Sequence, residues 1–209
     1  MTESNEIVFI VDDDPGVLRA LTRLFRSAGC SSVHGYGSAE EFMAGHNPDA
    51  PGCLVLDFSM PGFTGLELQD WLRQSKSPLP IVFLTGRGDI PTTVRAMKAG
   101  AIDFLTKPVH DVDLLKAVET ALRRSRRVHA RYAERAALNE RLGTLTSRER
   151  EVFDHLITGQ LNKQIAADLG TVEKTIKVHR ARVLQKLGVS SVVELVHIAA
   201  KAGTTGGAG

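Results

Sequence analysis

The sequence predicts an α/β domain whose parallel sheet carries helices on both faces, joined by a long helix to a small all-α domain. Three observations carry this reading. Ile7-Val8-Phe9-Ile10-Val11, Cys53-Leu54-Val55-Leu56 and Ile81-Val82-Phe83-Leu84 are short, unbroken apolar runs bounded by polar or Pro-Gly breaks, as suits strands buried on both faces. Segments with helical spacing lie between them, and such alternation is the signature of a parallel sheet. Beyond residue 110 the strand pattern stops and the charge balance changes sign.

The elements follow in order. Asp14-Pro15 reads as an N-cap followed by Pro at the first helical position. The helix it opens runs from Pro15 to Ala28, with Val17, Leu18, Leu21, Leu24 and Phe25 on its apolar face and Gly29 closing it. Residues 31–36 make a weak second strand. Ser38-Ala39-Glu40-Glu41 is a capping box opening a short helix. The third strand ends on Asp57, between Pro51-Gly52 and Pro61-Gly62. Leu66, Leu68, Trp71 and Leu72 belong to a helix from Thr64 to Gln74. A fourth helix runs from near Pro91 to Gly100, and Asp103-Phe104-Leu105 is the last strand. Five strands and five helices in this order fit a flavodoxin-like winding with strand order 2-1-3-4-5.

After Pro108, Asp111 caps a helix without a breaker until Gly143, on the order of 45 Å long if continuous. Leu114, Val118, Ala121, Val128, Tyr132 and Leu142 keep a 4-3 spacing that Ser125, Arg135 and Asn139 interrupt. The stretch is either a solvated spacer or a broken dimerising seam. Its seven arginines between Arg123 and Arg141 could attract DNA phosphates weakly. A second capping box, Thr146-Ser147-Arg148-Glu149, opens the all-α domain. Helices follow from Ser147 to about Leu156, from Asn162 (as its own cap) to Leu169, and from about Glu173 to Leu187; the capping box Ser191-Val192-Val193-Glu194 opens the last. The expected division is 5–122, a helical linker at 123–143, the second domain at 144–202, and a disordered Gly/Thr tail at 203–209.

Composition narrows the function. A hydrophobic fraction of 43% and a charged fraction of 24% are ordinary for globular chains. No apolar run approaches the roughly 20 residues of a membrane span, and residues 1–6 lack signal-peptide character. A cytoplasmic protein with no membrane partner is expected, with Cys30 and Cys53 reduced. Residues 1–122 carry 10 Lys and Arg against 16 Asp and Glu, a net −6; residues 123–143 carry 7 against 2, and residues 144–209 carry 9 against 6. Two modules with different partners follow, and only the second suits a polyanion. His129, His155 and His179 lack a catalytic partner pattern, so an enzyme is the least favoured class.

If the strands lie parallel, Asp12, Asp13, Asp57, Thr85 and Lys107 meet at the carboxyl edge of the sheet, where such folds bind ligands. Asp57 alone reads equally well as a turn aspartate ahead of Pro61. Clustered carboxylates repel unless a cation neutralises them. The economical reading is a Mg²⁺ site with carboxylate and water ligands, with Lys107 and Thr85 placed to meet an anion.

Asp12-Asp13 after a strand, Leu56-Asp57 with Met60-Pro61-Gly62, Thr85-Gly86 and Lys107-Pro108 occur in the order that resembles a two-component receiver domain. The resemblance implies that Asp57 accepts a phosphoryl group from a sensor histidine kinase. It implies too that Asp12, Asp13, Asp57 and the backbone carbonyl of Ser59 hold Mg²⁺, that Thr85 and Lys107 bind phosphoryl oxygens, and that Thr85 and Phe104 form the switch. Leu145-Thr146-Ser147-Arg148-Glu149, Asn162-Lys163-Gln164-Ile165-Ala166, Thr175-Ile176-Lys177-Val178-His179 and Lys186-Leu187-Gly188-Val189 resemble a LuxR-type helix-turn-helix domain. Within that likeness Lys177, Val178 and Ala181 face bases of double-stranded DNA, and Lys163, Lys174, Arg180 and Arg182 meet phosphates. The whole is similar to the FixJ/NarL class of response regulators, implying a phosphorylation-activated transcription factor that dimerises through Val94, Met97, Lys98 and the start of the last receiver helix. RNA polymerase is a further candidate partner. Two positions depart from the pattern: Ser59 replaces a longer polar residue, and Val172 replaces a Ser or Thr cap. The competing readings are an orphan regulator that binds DNA without phosphate, and a phosphotransfer relay that residues 144–209 argue against.

Overall fold

The computed structural model describes residues 6–86 and 90–202. The chain divides into two compact units, Met1–Ala130 and Arg131–Gly209. The expected disordered tail at 203–209 lies outside the described residues.

In the first unit, strands β1 (Ile7–Val11), β2 (Ser32–Tyr36), β3 (Gly52–Asp57), β4 (Ile81–Thr85) and β5 (Asp103–Thr106) alternate with helices α1 (Pro15–Ser27), α2 (Ala39–Gly45), α3 (Gly65–Gln74), α4 (Ile90–Lys98) and the first part of α5 (Asp111–Gly143), which continues into the second unit. The sheet is parallel, in the order β2-β1-β3-β4-β5. Period-two alternation turns each apolar run into two cores. Phe9, Val11, Leu54, Leu56 and Phe83 face Phe42, Leu68, Leu72 and Ala96. Val8, Ile10, Val55, Val82 and Leu84 face Leu21, Phe25, Leu114, Val118 and Ala121. Each such side chain contributes about 1.5–3 kcal/mol of transfer free energy, so these strands form despite their short length.

Helix starts are where the sequence speaks most directly. Asp14 caps α1 by accepting from the amide of Gly16. Thr64 and Thr146 each complete a reciprocal capping box with Glu67 and Glu149. Ser38 and Ser191 make only the forward half, to Glu41 and Glu194. Those glutamates reach back one residue further, to the amides of Gly37 and Ser190. Two predicted caps are displaced. Asp111 is the first helical residue, and His110 supplies the carbonyl that accepts from Leu114. Asn162 is likewise inside its helix; the cap is Leu161, whose amide donates to Gln164 Oε1 at 2.8 Å.

Most apolar positions of the α5 seam are packed within the units. Leu114, Val118 and Ala121 are buried in the first unit's core, and Leu142 in the second's. Ser125 is fully buried, and its hydroxyl accepts from the Gly52 amide at 3.0 Å. At Leu114, Val118, Ala121 and Leu142 the 4-3 spacing therefore records packing within the units. Of the seam's other residues, Val128 is half-buried, and Tyr132, Arg135 and Asn139 are exposed.

The second unit packs Leu138 and Leu142 of α5 with α6 (Ser147–Ile157), α7 (Asn162–Asp168), α8 (Glu173–Leu187) and α9 (Val192–Ala202). Phe153, Ile165, Ile176, Val183 and Leu195 are fully buried at its centre. Gly170 and Gly188 end α7 and α8 in the left-handed region, at φ 63° and 69°, which glycine enters without steric cost. Among the described residues no single helix is long and apolar enough to cross a membrane.

Candidate functional site

Strand register assembles the first site. Val11 lies opposite Leu56, so Asp12 and Asp57 leave the sheet side by side. Asp57 lies opposite Leu84, and Thr85 opposite Thr106, which brings Thr85 and Lys107 to the same edge. Asp12, Asp57 and Thr85 are buried, whereas Asp13 is exposed. Ligand oxygens of Asp12, Asp13 and Asp57 all lie within 4.8 Å of one another. Gly65 lets the next helix pass close by, since a Cβ there would stand 2.9 Å from the Asp57 carbonyl oxygen.

Lys107 ties the carboxylates together. Its Nζ stands 2.6 Å from Asp12 Oδ2 and 3.1 Å from Asp57 Oδ1. Its amide donates to the Thr85 carbonyl at 2.7 Å. Burial pushes the Asp57 carboxyl above its usual range, Asp12 and Asp13 add to the rise, and Lys107 opposes it. Burial alone would lower the Lys107 ammonium, but its bonds to Asp12 and Asp57 win and raise it. Oxygen-only donors at this spacing suit a hard divalent cation.

Phe104 is half-buried against Phe58 and Phe83, at centroid distances of 5.6 and 5.7 Å. On α4, Ile90, Val94 and Met97 stay exposed, as does Val112 at the start of α5. One residue here escaped the sequence reading. Gln69 is buried within α3 and donates to the Ala96 carbonyl of α4 at 3.1 Å. A polar residue beside Leu68 and Leu72 was its only signal.

In the second unit, α7 and α8 are joined by a tight turn at Leu169–Val172, as in a helix-turn-helix. Ile176, Val183 and Leu187 bury one stripe of α8. Lys174, Val178, Ala181 and Arg182 are exposed away from it, and exposed Gln185 joins them at helical spacing. Lys177 is exposed but sits 3.2 Å from Glu173. Lys163 is exposed on α7. Arg180 stands apart from this group, half-buried and donating to Asn162 Oδ1 at 3.3 Å. The Glu149–Lys186 pair was not foreseen. Lys186 Nζ lies 2.7 Å from Glu149 Oε2 and also donates to the Thr144 carbonyl, fastening the end of α8 to the start of α6. Bonds from Lys186 and Thr146 hold the Glu149 carboxyl down at about 2.

Comparison with known proteins places both units. Residues 8–119 match the response regulator receiver domain, and residues 143–199 match the luxR family of bacterial regulatory proteins. The chain belongs to the response regulators. It is 45% identical over 192 residues to Nodulation protein W of Bradyrhizobium diazoefficiens, covering 92% of this chain and 84% of that one. It is 39% identical to the transcriptional regulatory protein FixJ of Azorhizobium caulinodans, covering 94% and 92%. Among solved structures, the response regulator StyR matches with a TM-score of 0.83 and 46% identity over 95% of this chain and all of that chain. Full-length FixJ from B. japonicum matches with a TM-score of 0.56 and 36% identity over 97% and 99%. This response regulator is thus a two-component transcriptional regulator with a flavodoxin-like receiver and a LuxR-type DNA-binding domain. As a class, response regulators receive a phosphoryl group from histidine kinases.

Proposed function

We propose that Asp57 is the phosphoacceptor of this regulator and that its phosphorylation strengthens DNA binding by favouring a dimer. The observation that carries the reading is the buried Asp57 carboxylate held beside Asp12 by Lys107. An Asp57 carboxylate oxygen attacks the phosphorus of a phosphohistidine; the P–N bond breaks as the O–P bond forms, and the imidazole leaves. Lys107 then follows the negative charge from the two carboxylates to the phosphoryl oxygens, and the Thr85 hydroxyl meets the same group. Asp12, Asp13, Asp57 and the Ser59 carbonyl would hold Mg²⁺, which would supply charge neutralisation for the transferring group. The fit of the three side chains supports this cation.

Phe104 packs on Phe58, the neighbour of Asp57, and on Phe83, and borders the core cluster that includes Ala96 of α4. The exposed apolar residues of α4 and Val112 supply the face for a second copy. A two-fold dimer matches a paired DNA site. On each α8, Lys177, Val178 and Ala181 are directed to bases, while Lys174 and Arg182 of α8 and Lys163 of α7 meet phosphates. Arg180 contributes by bracing α7 against α8. Asp57→Asn is expected to abolish acid-labile labelling by acetyl phosphate with Mg²⁺, and to abolish the phosphate-dependent dimer in sedimentation. Asp14→Asn is expected to keep both. Label retained by the Asp57 variant and lost from the Asp14 variant would overturn the assignment.

A further inference from the structure

The flank of α1 that borders β2 takes no part in the site above. Arg19, Arg23 and Arg26 form an exposed stripe there at i, i+4 and i+7 spacing. Residues 1–122 carry a net −6, so carboxylate partners are plentiful on this module. Yet none of the three guanidinium groups has a hydrogen bond or ion pair among the described residues. Beside the stripe runs a groove of about 600 Å³, lined by Leu18, Thr22, the three arginines and Gly35.

Gly35 is the second observation. It sits inside β2, opposite Ile10, where a glycine weakens a strand. Nothing local requires it: a Cβ would meet only Leu18 Cδ2, at an ordinary 3.5 Å. Its effect is to leave the groove open along the outer edge of the sheet. Among the described residues β2 is the end strand and pairs only with β1, so one side of its backbone has no ladder partner there. A glycine without a local cause on such a strand fits the close approach of another backbone, one of the uses of strand glycines.

We infer that this groove binds an extended acidic segment of a partner protein. The segment adds to the edge of β2 beside Gly35, and its carboxylates reach Arg19, Arg23 and Arg26. Charge complementarity selects this occupant. A long polyanion such as DNA would meet the net negative field of the whole module, whereas a short segment engages the arginines at contact range, where bidentate Arg–carboxylate bonds form. The site is independent of Asp57 and needs no phosphate.

The test uses isotope-labelled full-length protein without phosphate, at physiological salt. A short synthetic peptide of alternating Glu and Val is titrated in, with its Lys-for-Glu counterpart and a short DNA duplex as separate arms. The acidic peptide should shift the amides of Ser32–Tyr36 and the Nε resonances of the three arginines, and the basic peptide should not. The triple variant R19Q/R23Q/R26Q should weaken binding about tenfold or more, equivalent to about 1.4 kcal/mol. Gly35→Val should block the groove while leaving Asp57 labelling by acetyl phosphate unchanged, which also reports that the domain is folded. No shift at millimolar peptide, shifts mapping elsewhere, undiminished binding to the triple variant, or DNA shifting these residues more strongly than the peptide would each overturn the inference.

Discussion

The two units handle charge in opposite ways. In the receiver unit the functional charges are withdrawn from water: Asp12 and Asp57 are buried, and Lys107 is shared between them at 2.6 and 3.1 Å. In the DNA-binding unit the cations proposed to meet DNA face solvent, Arg180 apart, and the best-buried charge, Glu149 with Lys186, holds helices together instead. A buried constellation has few arrangements and each member shifts its neighbours' protonation. An exposed face adapts to its ligand, and its geometry before binding says less about where each side chain ends. The receiver should therefore respond to a lost partner with a large change in stability, and the recognition helix with a small one.

The largest expected effect removes the shared cation. Lys107→Met leaves two buried carboxylates side by side, and breaking such a pair costs about 3 kcal/mol. Without the ammonium, the Asp57 carboxyl, already pushed up by burial and by Asp12 and Asp13, rises further above its unfolded value. The loss is then greatest at neutral pH and shrinks as pH falls into the carboxylate range. Added Mg²⁺ should restore part of it. Trp71, the only tryptophan, lies on α3 of this unit, so its fluorescence follows the receiver alone in the full chain. A denaturation midpoint insensitive to the substitution would mean that solvent already screens this pair.

Next comes the structural pair of the second unit. The Glu149 carboxyl is held at about 2 against an ordinary 4.5. Its folded value is depressed, so its contribution is complete above about 4.5 and is lost as pH falls toward 2. Glu149→Gln should flatten that acid limb, read from amide exchange of α6 and α8 between those limits. An acid limb unchanged by the substitution would assign it to other carboxylates.

How far these features could be read beforehand follows the same contrast. Asp57, Thr85 and Lys107 were legible because each ends an apolar run, and parallel register carries run ends to one edge. The Thr146 box was legible because its partners lie three residues apart; the Thr64 box has the same spacing and was missed. Glu149–Lys186 and Ser125–Gly52 join positions 37 and 73 residues apart, and no local pattern announces them. The cap of α7 was misplaced for a related reason. Asn162 is the better cap by type, but Gln164 already serves the Leu161 amide, and Asn162 is left to receive Arg180. On α8 the burial stripe was readable. That Lys177 rests on Glu173, and that Arg180 turns inward, was not.

The smallest effect concerns the start of α8. Val172 is the N-cap residue, with φ −101° and ψ 150°, and gives no side-chain bond to the helix. It is 64% exposed, so packing does not compensate. Thr175 and Ile176 already donate to its carbonyl, leaving the amides of Glu173 and Lys174 to be served by solvent. A serine hydroxyl at this position can accept from the Lys174 amide, the second in the helix, without moving the turn. Val172→Ser should stabilise the second unit by about 0.5–1 kcal/mol, at the lower end of measured N-cap effects because water already serves these amides. Slower amide exchange in the first turn of α8 would report it. Because the helix is better ordered before it docks, affinity for DNA should hold or rise, with the salt dependence unchanged since no phosphate contact is gained. Unchanged exchange in that turn would show that solvent caps this helix as well as a hydroxyl does, placing even the start of the recognition helix among the features left open until DNA binds.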